Sequence, residues 1–236
     1  MSNRATAVFA FALLICMIPV AGLAQTVYVQ DFESLPPVNG ALSADGWLVY
    51  GNIFDPSGTT HLWNHGPWPA PNNTGNWEDI VTGEGGPTQE LQQIVVYSDY
   101  GNADHGVGNR IESNLFQEQA LPVGCSGTWY FTFDAKMGNL GGSSTALAFI
   151  KILNPFAGWS TTTYSQDMTN TPSSWTSYMI SVDVTGLGGQ ILQFGFMSVA
   201  SNYEPCGVFY DNVAFSPSGV VATENAYWGD VKSMFR

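Results

Sequence analysis

The strongest constraint on the fold is a series of short apolar segments that alternate with turn residues. In residues 128–136, TWYFTFDAK, the apolar Trp129, Phe131 and Phe133 are separated by polar or smaller side chains. A period of two is typical of a strand with one buried face. No helical period is sustained, so we predict an all-β chain of two antiparallel sheets packed as a jelly-roll sandwich. The predicted strands span residues 26–33, 47–53, 90–98, 110–119, 128–136, 145–153, 177–184, 191–198 and 208–216.

The length and the two ends of the chain indicate one domain with flanking segments. The 236 residues suit a single sandwich domain, which we place at residues 25–217. Residues 1–24 combine Arg4, an apolar run and the small residues Gly22 and Ala24, as in a cleaved secretory signal. A membrane anchor is the alternative, but the run is short and Pro19 interrupts it. We therefore expect a secreted protein, extracellular or periplasmic, with no membrane span after cleavage and a tail at 218–236 that can form a short helix.

The charge balance limits the partners of the predicted mature chain. After cleavage it keeps five of six basic residues and all 19 acidic ones, which gives a formal charge of −14. Such a surface repels nucleic acid and anionic membranes, so neither is an expected partner. Solubility outside the cell explains the charge, and cation binding is a second explanation.

Two cysteines remain after the predicted cleavage. An exported chain with an even number of cysteines favours a disulfide, here between Cys125 and Cys206. Two free thiols are the alternative. No neighbouring residue in the sequence supplies a base that would indicate a catalytic cysteine.

Residues 52–87 lack a clear strand pattern and are unusually rich in tryptophan. We expect one long ordered loop region there, because disordered segments are poor in aromatic residues. Trp63, Trp68 and Trp77 are candidates for stacking on the apolar face of a sugar ring. The alternative is that these side chains only fix the loop to the sandwich.

The last predicted strand, within GVFYDNVAFSP, carries an acid in an apolar setting. Alternation places Asp211 on the face of Phe209, Val213 and Phe215. An unpaired carboxylate on such a face costs several kcal/mol, and the chain has few basic residues to neutralise it. A bound Ca²⁺ is a suitable partner for an exported protein. The alternative is that Asp211 is solvated or caps a neighbouring backbone group.

Short segments near the two ends of the chain resemble the corresponding segments of secreted β-sandwich carbohydrate-binding modules. The segments QDFE near the predicted mature N-terminus and FYDNVAFS near the C-terminus carry the resemblance, together with TWYFTFDAK. The resemblance implies a jelly roll whose first and last strands lie side by side and hold a structural calcium. On this chain the implied calcium ligands are Glu33 and Asp211, with Asp31 beside them.

The sequence favours an exported, non-catalytic carbohydrate-binding protein whose partner is an extracellular polysaccharide or glycan. Glu112, on a strand with a less apolar face, joins the three tryptophans as a candidate sugar contact. A structural or adhesive surface protein without a soluble ligand is one alternative. A jelly-roll polysaccharide lyase or glycoside hydrolase is another, although no nucleophile, zinc or phosphate-loop motif occurs. The oligomeric state is not indicated.

Overall fold

The computed structural model describes residues 25–72 and 75–219. The predicted signal segment 1–24, and residues 220–236 of the predicted tail, lie outside the described residues. The described part contains one short α-helix, α1 (Ala41–Ala44), and no helix long and apolar enough to cross a membrane. Its strands are β1 (Tyr28–Gln30), β2 (Leu48–Phe54), β3 (His61–Pro69), β4 (Glu78–Thr82), β5 (Gln92–Val96), β6 (Arg110–Ala120), β7 (Thr128–Met137), β8 (Thr145–Asn154), β9 (Ser160–Asp167), β10 (Thr176–Asp183), β11 (Ile191–Ala200) and β12 (Val208–Ser216).

The strands form two antiparallel sheets, which confirms the predicted all-β jelly-roll sandwich. Sheet A has the order β10-β7-β12-β5-β4, and β1 also pairs with β12. The first and last strands are therefore neighbours, as expected, with Tyr28 opposite Phe215. Sheet B has the order β3-β2-β6-β11-β8-β9.

The core is an aromatic layer between the sheets. On β7 the inward residues are those that the alternation predicted, and Phe131 and Phe133 are fully buried. Phe196 of β11 stacks on Tyr210 of β12 at a centroid distance of 3.7 Å. Burial of side chains this large supplies most of the driving force that holds two sheets together.

The prediction of one irregular loop region at residues 52–87 is wrong in part, because these residues include strands β3 and β4. β3 escaped recognition because it is an edge strand with mostly exposed side chains, and it includes Gly66, Pro67 and Pro69. β9 was not predicted either, since all eight of its residues are exposed and none is strongly apolar except Tyr164. Without a buried face, a strand has no reason to alternate.

β12 contains a β-bulge that resets its inward and outward faces. Its register with β7 shifts between Asp211 and Ala214, and Asn212 has a φ of 49°. A bulge inserts one unpaired residue, so the side chains on either side of it change parity. The core-facing residues are accordingly even-numbered before the bulge and odd-numbered after it: Val208, Tyr210, Val213 and Phe215.

The prediction that Asp211 shares an apolar face with Val213 and Phe215 is therefore wrong. Asp211 pairs with Asp134 of β7, and both carboxylates lie on the outer face of sheet A. Asp211 is nevertheless only 1% exposed, because the connection between β4 and β5 covers it.

The predicted disulfide is also wrong, since Cys125 and Cys206 are free. Cys125 precedes β7 and donates to the carbonyl of Val184, whereas Cys206 lies beyond the other end of β7, where Gly207 bonds Asn139. Ten residues of strand separate the two positions, or about 30 Å. A disulfide requires Cα atoms within about 7 Å.

Reduction should therefore leave the thermal stability unchanged. A disulfide that closed this long loop would contribute about 4 kcal/mol, and its loss would lower the melting temperature by roughly 10 °C. We expect identical melting curves with and without dithiothreitol. The chain from residue 25 onward should also yield two titratable thiols after unfolding without reductant. A thiol count of zero, or a clear fall in melting temperature on reduction, would contradict the free-thiol assignment.

Candidate functional site

Edge strand β3 carries a cluster of large rings that we call the aromatic platform: Trp63, His65 and Trp68, with Trp77 behind them. In the register with β2, Trp63 lies opposite Ile53 and His65 opposite Gly51. A Cβ at position 51 would lie 2.1 Å from the His65 ring, so only glycine allows the imidazole to lie over β2. The β2–β3 pairing thus fixes the position of the imidazole.

His65 is the centre of the platform. Its ring centroid is 5.2 Å from Trp63, 5.0 Å from Trp68 and 5.2 Å from Trp77. Trp63 is 43% exposed and Trp68 is 52% exposed, whereas Trp77 is only 4% exposed. Two indole rings therefore face solvent around a buried support. Trp77, predicted as a sugar contact, belongs to that support.

The electrostatic environment keeps the platform neutral. His65 Nε2 lies 3.6 Å from Asp99 Oδ2. Burial nevertheless lowers the pKa of His65, and it outweighs the opposing attraction of Asp99 and Asp104. Burial also raises the pKa of Asp99. Desolvation therefore dominates over ion pairing for both partners.

Glu78, the first residue of β4, follows Trp77 and is completely buried. Neither of its carboxylate oxygens has a hydrogen-bond partner. Burial raises its pKa well above the ordinary value, with Asp79 and Asp99 adding to the effect. Burial therefore favours the neutral, protonated form of Glu78 beneath the platform.

Glu112, predicted alongside the tryptophans, lies on the opposite face of sheet B. It pairs with Asn52, which in turn lies opposite Asn64 of β3. This row is part of the outer surface of the sheet, whereas Trp63 and Trp68 share the face of the buried Ile53 and Val49. The structure does not bring Glu112 together with the platform.

Lys151 lies on that same outer surface, within electrostatic reach of Glu112. It donates to Asn114 Oδ1 at 2.8 Å and lies 4.1 Å from the centre of the Phe149 ring. Burial lowers the pKa of Lys151 to about 8, and attraction by Glu112 opposes the shift. Arg110 and Lys151 are the two basic residues in the strands of sheet B, so this surface offers no stripe of positive charge.

A second region, the acidic pocket, lies on the outer side of sheet A. Three segments meet there: the chain after β1, the connection between β4 and β5, and the bulge of β12. Each lining side chain contains an oxygen atom, and the lining residues are Asp31, Glu33, Thr88, Gln89, Glu90, Asp211 and Asn212. The structure therefore places Asp31, Glu33 and Asp211 around one pocket.

Hydrogen bonds within the chain hold the rim of the pocket. Glu33 Oε1 accepts from the backbone amides of Leu91 and Gln92 at 2.8 and 2.6 Å. Asp31 Oδ1 accepts from the amide of Glu33 at 3.1 Å. These bonds tie the segment after β1 to the β4–β5 connection.

The backbone around the pocket is unusual. Phe32, Glu90 and Asn212 all have positive φ angles, of 62°, 40° and 49°. Residues other than glycine rarely adopt this conformation, which costs of order 1 kcal/mol or more and persists where the surroundings enforce it. Three such residues at one pocket indicate a site that the fold maintains.

Asp211 is the least satisfied group in the pocket. Its Oδ1 accepts from the amide of Asn212 at 2.6 Å, but Oδ2 is buried without a partner, as is Gln89 Oε1. Burial raises the pKa of Asp211 to about 9; the Asn212 bond opposes the shift, while Asp134, Asp31 and Glu33 increase it. Neighbouring Asp134, by contrast, accepts from three side chains: Gln89, Ser177 and Asn212.

The acidic pocket does not hold a ready-made cluster of acidic, histidine or cysteine side chains that could bind a metal ion. Within residues 25–72 and 75–219, no group of three or more His, Cys, Asp or Glu side chains stands close enough to hold an ion. Oxygen atoms from amides and backbone carbonyls must complete any coordination shell, which Ca²⁺ accepts readily.

Several site residues could not be selected from the sequence alone. His65 and Gly51 stand in no motif that would single them out in the sequence. Gln89 and Asn212 carry amides that occur throughout the loops. Only the pairing of β2 with β3, and the approach of the β4–β5 connection to β12, give these residues a role.

No protein-family model matches the chain, and no curated protein is significantly similar to it. Several similar solved structures are β-sandwich carbohydrate-binding modules, in line with the resemblance expected from the sequence. One is the C-terminal family 22 module of Clostridium thermocellum Xyn10B, with 11% identity and a TM-score of 0.44. That match covers 84% of this chain and 95% of the module.

Two further similar structures are much longer than this chain. The enzymatically active domain of bacteriophage CBA120 tailspike protein 4 has 15% identity and a TM-score of 0.41, over 72% of this chain and 19% of that domain. The N-terminal family 22 and catalytic modules of Clostridium thermocellum xylanase 10B have 11% identity and a TM-score of 0.40, over 80% and 28%. At these identities the likeness is one of architecture.

Proposed function

We propose that this chain binds a neutral carbohydrate, without catalysis, at the aromatic platform. The observation that carries the proposal is the pair of half-exposed indoles, Trp63 and Trp68, on either side of His65. Pyranose rings have an apolar C–H face that stacks on an indole, while their hydroxyls need polar partners beside it. Large aromatic rings with a few polar groups are typical of ligand sites of this kind.

Rigidity of the platform supports this proposal. The rings are attached to a strand that is paired over its length with β2, and the buried Trp77 packs against His65. A ligand would therefore meet rings that are already in place, so little conformational entropy would be lost on binding.

The charge distribution favours a neutral ligand over an anionic one. Around His65 the charged neighbours are Asp99 and Asp104, both acidic. The described ranges contain three basic residues, Arg110, Lys136 and Lys151; Lys136 bonds Glu84, Lys151 bonds Asn114, and Arg110 stands alone at the start of β6. A polyanion would be repelled by the net charge without finding a compensating basic surface.

The proposal includes export and a structural Ca²⁺ in the acidic pocket. Export rests on the sequence of residues 1–24. Three observations support the calcium site. Every lining side chain offers an oxygen atom, two buried oxygens have no partner, Asp211 Oδ2 and Gln89 Oε1, and the backbone around them is unusual. Asp31 and Glu33 would add negative charge from the rim. The ion would supply the positive charge that the buried carboxylate of Asp211 needs in order to ionise.

Replacement of either exposed tryptophan should weaken carbohydrate binding. We expect Trp63→Ala and Trp68→Ala each to raise the dissociation constant about tenfold or more, because truncation of an anchoring aromatic costs about 2 kcal/mol. Affinity electrophoresis through gels that contain different neutral polysaccharides identifies the ligand and measures the loss. Phe156→Ala, which removes an even more exposed ring on a distant turn, is the control.

Two results would overturn the binding proposal. One is unaltered migration of the parent protein across a broad panel of polysaccharides, which would favour a structural or adhesive role. The other is retardation that survives the loss of both tryptophans. Release of sugar from the polymer would instead identify a lyase or hydrolase.

Calcium should stabilise the protein more strongly as the pH rises. Burial raises the pKa of Asp211 from 3.8 to about 9, so the folded state holds this proton more tightly than the unfolded state. Without a cation, the stability contribution of Asp211 is full below pH 4 and is lost as the pH rises toward 9. Calcium requires the carboxylate, and its stabilising effect should therefore be small at pH 4 and large at pH 8.

The matched variants are Asp211→Asn and, for an exposed acid elsewhere, Asp183→Asn. Thermal unfolding should be followed in chelator and in calcium at both pH values. Asp211→Asn should abolish the calcium response and flatten the decline of stability with pH in chelator, whereas Asp183→Asn should retain both. An unchanged calcium response in Asp211→Asn would contradict the assignment of Asp211 as a ligand.

A further inference from the structure

Strand β9 is an open edge of sheet B. It pairs with β8 on one side only, and it is the last strand in the order of that sheet. All eight of its residues are exposed. Its free side thus presents backbone N–H and C=O groups that can pair with another strand.

Two other edge strands, β3 and β4, are protected in ways that β9 is not. β3 has two register irregularities and contains Pro67 and Pro69, while β4 has only five residues and begins with Glu78 and Asp79. β9 contains neither proline nor lysine, and its register with β8 is regular from Leu147–Asp167 to Asn154–Ser160. Bulges, prolines, charges and short length are the usual defences against edge pairing.

The charge pattern shows where two copies of this acidic chain can approach each other. Between Lys151 and Asp183 the only charged residue is Asp167. This segment includes β9 and most of β10, the edge strands of the two sheets on the same side of the sandwich. Elsewhere the net negative charge opposes self-association.

We propose that β9 pairs antiparallel with β9 of a second copy, which joins two B sheets across a two-fold axis. With the axis at Tyr164, so that facing side chains lie on the same face of the joined sheet, the strand is self-complementary. Tyr164 then faces Tyr164 of the second copy, Thr163 faces Ser165, Thr162 faces Gln166 and Thr161 faces Asp167. No like charges oppose each other, and hydroxyl-bearing residues meet across the strands, as favourable cross-strand pairs do.

The same arrangement covers aromatic surface beside the strand. Trp159 is 59% exposed and Tyr164 is 39% exposed. Trp159 has a φ of 63°, an uncommon conformation for a tryptophan, and it directly precedes β9. In the symmetric register Tyr164 lies opposite its own copy, and Trp159 lies opposite Thr169 of the second copy. A second copy would therefore pair with the free backbone groups of β9 and also cover these rings. This proposal does not depend on the ligand of the aromatic platform.

Sedimentation velocity of the purified chain over a wide concentration range tests the pairing. We expect a monomer–dimer equilibrium. Thr163→Lys with Ser165→Lys places lysines opposite each other twice across the axis, and should weaken dimerisation at least tenfold. The control is Thr26→Lys with Thr82→Lys, which adds the same charge at two exposed positions away from β9 and should leave the dimer intact.

A charge-swap experiment keeps the test independent of folding defects. Thr163→Glu with Ser165→Glu should also be monomeric, but a mixture with the lysine variant should restore a dimer that contains one of each chain. A parent protein that remains monomeric at all concentrations would overturn the proposal. So would a dimer that the lysine variant retains, or a failure of the two folded variants to associate when mixed.

Discussion

The β-bulge at Asn212 is the local feature on which much of this structure depends. By shifting the register of β12, it allows Val208 and Tyr210, and then Val213 and Phe215, to face the same core. Tyr210 stacks on Phe196 and Phe215 stacks on Phe194, so both halves of the strand join β12 to the facing sheet. The same shift directs Asp211 outward. A single inserted residue therefore serves both the packing of the core and the chemistry of the acidic pocket.

Asp134 and Asp211 are buried to nearly the same extent but differ in the number of hydrogen bonds that they accept. They are paired in register and nearly equally inaccessible. Asp134 receives three side-chain donors, from Gln89, Asn212 and Ser177. Asp211 receives one backbone amide, and burial raises its pKa to about 9. In a chain with six basic residues, neutral amides and hydroxyls donate the hydrogen bonds that arginine and lysine donate elsewhere, and Asp211 Oδ2 receives none of them.

The sequence predicted those parts of the structure in which the two faces of a strand differ. β7 could be located closely, because one face packs in the core and the other is polar. β3 and β9 lack a buried face and were missed for that reason. Asp31, Glu33 and Asp211 could be grouped because the first and last strands are neighbours. Glu112 could not be separated from the tryptophans, since nothing in the sequence fixes which face of β3 is shared with which face of β6.

The two edges of sheet B, β3 and β9, are suited to different kinds of interaction. On one side, β3 presents the aromatic platform, and its prolines and irregular pairing prevent strand addition there. On the other side, β9 is straight, uncharged except at its end, and free of proline. A surface that is to receive a ligand must not be covered by a second copy, and an edge that is to pair must not carry repelling charge. Because the acids of this chain are concentrated away from β9, the two requirements are met on opposite sides of one fold.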